Sequence, residues 1–142
     1  IIEKRKVNKF KTTFDVVRLI EDEYRIDKKN MIKFLSKIFQ ALRIEVNNEM
    51  DNLKKVLNDS IDMVEEGGRI VMVSYHSLED RIVKNFFKEM SATTKKTDNP
   101  FYDETVTPKI KILTKKSVVP AFEEIKNNSR ARSAKLRCAE RM

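Results

Sequence analysis

The feature that most constrains this chain is an apolar stripe of unusual length. From Met31 onward, Met31, Leu35, Ile38, Leu42, Val46, Met50, Leu53, Leu57, Ile61 and Val64 follow one another at steps of 4, 3, 4, 4, 4, 3, 4, 4 and 3. Steps of three and four are the period of an α-helix that buries one face, and no strand repeats in this way. Asn47 and Asn48 interrupt the stripe with weak helix formers, so the pattern allows either one long helix or two meeting there. The mean step lies nearer about 3.7 residues than the 3.5 of a left-handed coiled coil, which weighs against an oligomeric helical scaffold. Gly67-Gly68 closes the helical stretch, and Ile70-Val71-Met72-Val73 after it is apolar without alternation. That run predicts a parallel strand buried on both faces. His76-Ser77 then opens a second helix, with Ser77 as N-cap, Glu79 and Asp80 in the first turn, and Ile82, Val83, Phe86 and Phe87 as the buried stripe. Helix, strand and helix in this order predict an α/β chain.

The flanks are less regular. Residues 1–11 are basic and aperiodic, and Thr12 and Thr13 offer an N-cap for a short helix to about Tyr24 that carries Phe14, Val17, Leu19 and Ile20. Residues 91–108 are polar and include Pro100 and Pro108, which predicts a mobile loop. Ile110, Ile112 and Leu113 predict a strand, and Pro120 to Ile125 a turn or short helix. Ala134, Leu136 and Cys138 alternate with Lys135, Arg137 and Ala139, as in a last strand. No internal repeat occurs.

Composition removes several classes of function. The net charge is +8, and residues 109–142 hold ten basic and three acidic side chains, so nearly all of the surplus lies in the last quarter. Such a surplus favours a polyanionic partner. A lone Cys138 rules out a disulfide framework, and a lone His76 rules out a His/Cys zinc site. No apolar run approaches the roughly 20 residues that span a bilayer, and Ile-Ile-Glu-Lys-Arg-Lys at the start has no apolar signal core, so a cytoplasmic protein is expected. The chain begins at Ile1 and its two glycines leave no G-x-G-x-x-G or P-loop. These features predict an excerpt from a longer protein.

Three stretches carry possible chemistry. Ser74-Tyr75-His76-Ser77-Leu78-Glu79-Asp80-Arg81 falls between a strand and a helix, where open α/β sheets collect reactive groups. The same residues also suit a plain helix start, with Ser77 and Asp80 as a capping pair, Glu79 complementing the helix dipole and Arg81 in solvent. A Ser/His/Asp triad from His76, Ser77 and Asp80 fails, because such close neighbours on a turn and a helix point in different directions. Arg130, Arg132, Lys135 and Arg137, with Lys115 and Lys116 upstream, form a cationic segment that suits a phosphate backbone or a solvated tail. It has no interleaved aromatic residues to stack on bases. Gln40, Arg43 and Asn47 step by 3 and 4 and share one helical face, solvated or functional.

Together and in this order the motifs resemble the ribosomal RNA small-subunit methyltransferase H family, the MraW-type enzymes. The matching residues are Phe39-Gln40-Ala41-Leu42-Arg43-Ile44-Glu45-Val46-Asn47, Gly67-Gly68-Arg69, His76-Ser77-Leu78-Glu79-Asp80-Arg81-Ile82-Val83-Lys84, and Arg130-Ala131-Arg132-Ser133-Ala134-Lys135-Leu136-Arg137. Ser129 stands where the family usually has Pro, Tyr75 where it usually has Phe, and Lys28 to Ile38 lacks the His-Pro-Ala-Thr-Arg-like approach. The resemblance implies the C-terminal portion of a Rossmann-like, class I methyltransferase sheet plus part of an all-helical insertion domain. Residues 1–46 are then the end of the substrate-recognition insertion and 47–142 the later part of the catalytic core.

The implied activity is transfer of a methyl group from S-adenosylmethionine to N4 of a cytidine in bacterial 16S ribosomal RNA, with the RNA or the small ribosomal subunit as partner and no membrane. The family's cofactor motifs precede the matching segments, so the cofactor is expected to bind a missing N-terminal part and this chain alone to be inactive. A cytosine amine is a poor nucleophile, and acceptors for its N–H bonds aim it at the methyl group. Ser74, Ser77, Glu79 and Asp80 are the candidate acceptors, and His76, with an ordinary pKa of about 6.5, the candidate proton acceptor. Gln40, Arg43, Asn47, Arg81, Lys115, Lys116, Arg130, Arg132, Lys135 and Arg137 are the candidate RNA contacts. The alternative is a non-catalytic basic module that binds nucleic acid.

Overall fold

A computed structural model describes residues 1–7, 9–96 and 103–142. The chain divides into two compact units, Ile1–Glu49 and Met50–Met142.

The first unit is helical: α1 spans Ile2–Val7, α2 Thr13–Glu23 and α3 Lys28–Val46. Thr12 caps α2 as its sequence predicts; Thr12 Oγ1 accepts the Asp15 N–H, and Asp15 Oδ2 accepts the N–H groups of Lys11 and Thr12 at 2.9 Å each. Those two backbone bonds hold the Asp15 carboxyl below the usual aspartate range. Val16 and Ile20, four residues apart, are the buried side chains of α2, whereas Phe14 is exposed, because it lies off their line. The helix α1 was not foreseen, because its charged sequence has no stripe; it carries an exposed Glu3–Lys6 pair at 2.9 Å and an exposed Lys4–Glu23 pair at 3.3 Å. The Tyr24 ring lies 5.3 Å from that of Phe34, a tilted aromatic contact.

The long stripe resolves into two helices. Asn48 adopts φ 52°, a left-handed conformation that breaks the helix and that asparagine tolerates better than most residues. Beyond it α4 runs over Glu49–Met63.

The second unit is mixed α/β. Its elements after α4 are β1 (Arg69–Ser74), α5 (Ser77–Met90), β2 (Thr94–Lys96), β3 (Asp103–Thr105), β4 (Ile110–Ile112), α6 (Phe122–Asn127), a 3-10 turn over Ser129–Ser133, and β5 (Lys135–Arg141). β1, β5 and β4 form one small sheet in that order, with β5 antiparallel to both neighbours. Ala139 stands opposite Ile70 on one side and Ile112 on the other, and is fully buried. Its methyl leaves room for the helices: Leu57 and Ile61 of α4 and Val83, Phe86 and Phe87 of α5 join Ile70, Ile110 and Ala139 in one core. Burying side chains of this size contributes about 1.5–3 kcal/mol each.

Several expectations are corrected. β1 is not a parallel strand buried on both faces; its partner is antiparallel, and Ile70 and Ser74 are buried while Val71 and Val73 are about half exposed. An apolar run reports neither strand direction nor which face is covered. The N-cap of α5 is His76, not Ser77, and Asp80 takes no part in the capping box. The polar stretch 91–108 is not all loop, since β2 and β3 pair as antiparallel strands; residues 97–102 and Pro100 with them lie outside the described residues. The alternation in β5 is present, and its more buried face is the one carrying Arg137 and Ala139. Among the described residues no helix is long and apolar enough to cross a membrane.

Candidate functional site

β1 ends at Ser74, and the chain turns through Tyr75 and His76 into α5. His76 is extended, with φ −140° and ψ 163°, so its side chain folds back over the first helical turn as an N-cap. Its Nδ1 accepts the Glu79 N–H at 3.4 Å, while Glu79 Oε2 accepts the N–H groups of Tyr75 at 2.9 Å and His76 at 3.3 Å. Nδ1 as acceptor leaves the ring proton on Nε2. That atom is buried and lies 3.0 Å from Glu79 Oε1, yet its angle makes no hydrogen bond there. Histidine and glutamate thus serve each other and the turn.

Asp80 follows one residue later and points the other way, toward β5. Its Oδ1 accepts from Arg137 Nε at 2.7 Å and its Oδ2 from Lys135 Nζ at 3.4 Å. The Arg137 guanidinium holds the Asp80 carboxyl below its ordinary range despite burial, and Lys135 adds to the effect. The Asp80 and Arg137 side chains are only 12% and 10% exposed, so this pair clamps the start of α5 to the middle strand.

The structure therefore brings Ser74, His76, Ser77, Glu79 and Asp80 together at one strand-to-helix turn but gives them unequal access. Ser74 is buried, Glu79 and Asp80 are committed to partners, and Ser77 stands exposed at the first position of α5. The feature that sequence reasoning passed over is Tyr75, considered only as a substitute for Phe. It is 58% exposed and lines a cavity of about 330 Å³ with Val73, Val118, Pro120, Asn128 and Leu136. An aromatic residue directly after a strand, next to a helix cap, was the available signal.

The expected RNA contacts divide in the same way. Arg81, Lys115, Lys116, Arg130 and Arg132 are exposed, and among the described residues none has an ion pair within 4 Å. Asn128 Oδ1 accepts the Arg130 N–H at 3.2 Å and caps the 3-10 turn that carries both arginines. Lys135 is partly exposed, and Arg137 is buried on Asp80. In the first unit Arg43 makes a two-point pair with Glu49 at 2.9 and 3.1 Å, Asn47 Nδ2 donates to the same carboxylate at 3.2 Å, and Gln40 is half-buried.

Comparison with known proteins bears on the whole chain. The model of the MraW methylase family matches residues 1–142. Proteins named ribosomal RNA small subunit methyltransferase H are 47% identical over 146 residues in Chloroherpeton thalassium and 41% identical over 142 in Parabacteroides distasonis. The namesake in Aster yellows witches'-broom phytoplasma is 44% identical over 139 residues. These alignments take in 98–100% of this chain. The chain spans about 45% of the length of each relative.

Proposed function

Because the chain belongs to the MraW methylase family, we propose that it forms part of an enzyme that methylates N4 of a cytidine in bacterial 16S ribosomal RNA, with S-adenosylmethionine as donor. What carries this reading is the whole-chain similarity to proteins named for ribosomal RNA methylation. We assign residues 1–46 to the substrate-recognising helical insertion and 47–142 to the later part of a Rossmann-like core. Among the described residues β1 pairs with β5 alone, which supports further strands beyond β1, and the half-exposed Val71 and Val73 on one of its faces support a layer that covers that face.

The residues present do not fit the methyl donor. The two glycines stand together in the turn before β1, and no glycine-rich turn joins a strand to a helix among the described residues. What this chain supplies in our reading is the substrate side. Ser77, at the open first position of α5, accepts an N–H of the cytosine amine and aims it. Glu79 and Asp80 act through the turn: Glu79 fixes the Tyr75 and His76 backbone, and Asp80 fixes α5 on β5. The exposed cations of residues 109–142 hold the RNA backbone.

A hybrid in which residues 1–142 replace the matching segment of the Chloroherpeton thalassium relative tests this reading. Incubated with labelled S-adenosylmethionine and small ribosomal subunits, it is expected to yield N4-methylcytidine on mass spectrometry of the RNA. A folded hybrid that binds subunits and transfers no methyl group overturns the reading in favour of a non-catalytic basic module. The 142-residue chain alone is expected to show no micromolar binding of S-adenosylmethionine by calorimetry.

A further inference from the structure

A second feature lies beside the turn. Lys84 and Lys88, four residues apart on one face of α5, converge with Thr114, Lys115, Phe87, Ile112 and Arg137 around a cavity of about 340 Å³. Its base is apolar: Phe87 is 2% exposed, and Ile112 packs against the same core. Its polar wall is cationic. Arg137 is nine-tenths buried there, and the carboxylate that neutralises it, Asp80, is shared with Lys135. Among the described residues, Lys84, Lys88 and Lys115 have no acidic group within 4 Å. Three exposed lysines without an acidic partner line one cleft, and their summed positive charge attracts an anion. The cavity is at the small end of the roughly 300–1,000 Å³ range of ligand pockets, which suits a phosphate group with part of its sugar rather than a whole dinucleotide-sized cofactor.

We propose that this cleft between α5 and the end of β4 holds a phosphodiester group of the RNA strand, with Lys84 and Lys115 as its principal ligands and Lys88 at the rim. The proposal rests on the RNA-directed reading above and adds to it Lys84, Lys88 and a defined cleft, which the cations of residues 109–142 do not supply by themselves. RNA is favoured over an acidic protein because the same end of the sheet carries Lys116 and Lys135, which extend the positive surface as a strand's regularly spaced charges require. Thr114 is fixed in the wall, its Oγ1 accepting the Cys138 N–H at 2.8 Å, so the cleft is bounded on one side by backbone-anchored structure.

The test compares the 142-residue chain with its Lys84→Gln/Lys115→Gln variant, using fluorescence anisotropy of a labelled single-stranded RNA over a salt series. Each phosphate contact in a single strand contributes about 0.7 to the slope of log affinity against log salt, so the double variant is expected to lower the slope by about 1.4. Lys54→Gln, which removes an exposed lysine paired with Asp51 at 2.8 Å, is expected to leave it unchanged. Melting curves establish that the variants fold. An unchanged slope in a folded double variant overturns the cleft proposal while methyl transfer by the hybrid enzyme still judges the parent reading. Two further arms identify the ligand. Inorganic phosphate that binds the cleft at micromolar concentration without loss of the RNA slope assigns it to a free anion, and labelled polyglutamate that loses affinity as RNA does assigns it to an acidic protein; either result overturns the proposal.

Discussion

Asp80 stands where a catalytic carboxylate was expected, yet both its oxygens face cations. Removing one partner of a buried pair leaves the other charge uncompensated, so Asp80→Ala is expected to cost about 3–5 kcal/mol, measured by urea unfolding at neutral pH. The pH dependence follows from the direction of its pKa. The folded value is depressed by Arg137, so the contribution is fully present above the unfolded aspartate value of about 4 and disappears as pH falls through the lower folded value. Wild-type protein should lose this increment as pH falls below about 4 and through the lower folded value, and Asp80→Asn should show no such increment. Ser77 presents the opposite case. It is exposed and alanine suits the first turn of a helix, so Ser77→Ala in the hybrid enzyme should leave the melting temperature unchanged and lower kcat by about 10², the loss of one preorganised partner. Equal kcat in the two proteins would remove Ser77 from the substrate side.

The turn that leads into β1 depends on two glycines for different reasons. Gly67 has φ +80° with open space where a Cβ would sit, whereas a Cβ on Gly68 would lie 2.5 Å from Val64 Cγ1 and 2.9 Å from the Glu65 carbonyl oxygen. A stiff valine and a backbone atom yield little. Gly68→Ala should therefore destabilise by more than Gly67→Ala, whose cost is the left-handed strain of about 1–2 kcal/mol, and denaturant midpoints of the two variants would show the order reversed if Val64 simply rotates away. The start of α2 was legible because threonine is a common capping side chain, while the Asp15 half of its capping box was not read. The start of α5 was placed one residue late because its cap is an imidazole, and Ser77 beside it has the commoner capping side chain. β2 and β3 escaped for a different reason: both are three residues long and polar, below the length at which alternation is visible.

Across the whole molecule, charge is the property that composition reports best. The basic surplus of residues 109–142 lies on exposed arginines and lysines, but not on all of them, since Arg137 is withdrawn into the interior and Arg141 donates to the carbonyl groups of Ile61 and Lys109 at 3.2 and 2.9 Å. Arg130 and Arg132 are the pair whose loss should act on RNA alone. Arg130→Ala/Arg132→Ala is expected to lower the salt slope for single-stranded RNA by about 1.4 with an unchanged melting temperature, and a fall in melting temperature without a change in slope would make the 3-10 turn structural.

Periodicity, composition and motif order suffice for the helices with long stripes, the strands around Ile70, Ile110 and Leu136, the cationic character of the last quarter and the family. Each of these is written in residues near one another in the chain, as periodicity, composition or contiguous motif. Tertiary structure alone decided that Asp80 serves Arg137, 57 residues away, that β1 pairs antiparallel with β5, and that Lys84 and Lys115 share one cleft. Partner choice between distant segments is set by which faces are buried together, and a one-dimensional pattern gives a strand's period without its neighbour or its direction. The same asymmetry explains the site: the residue types at the turn were readable, while their access to a substrate depends on partners supplied by β5 and by the first turn of α5.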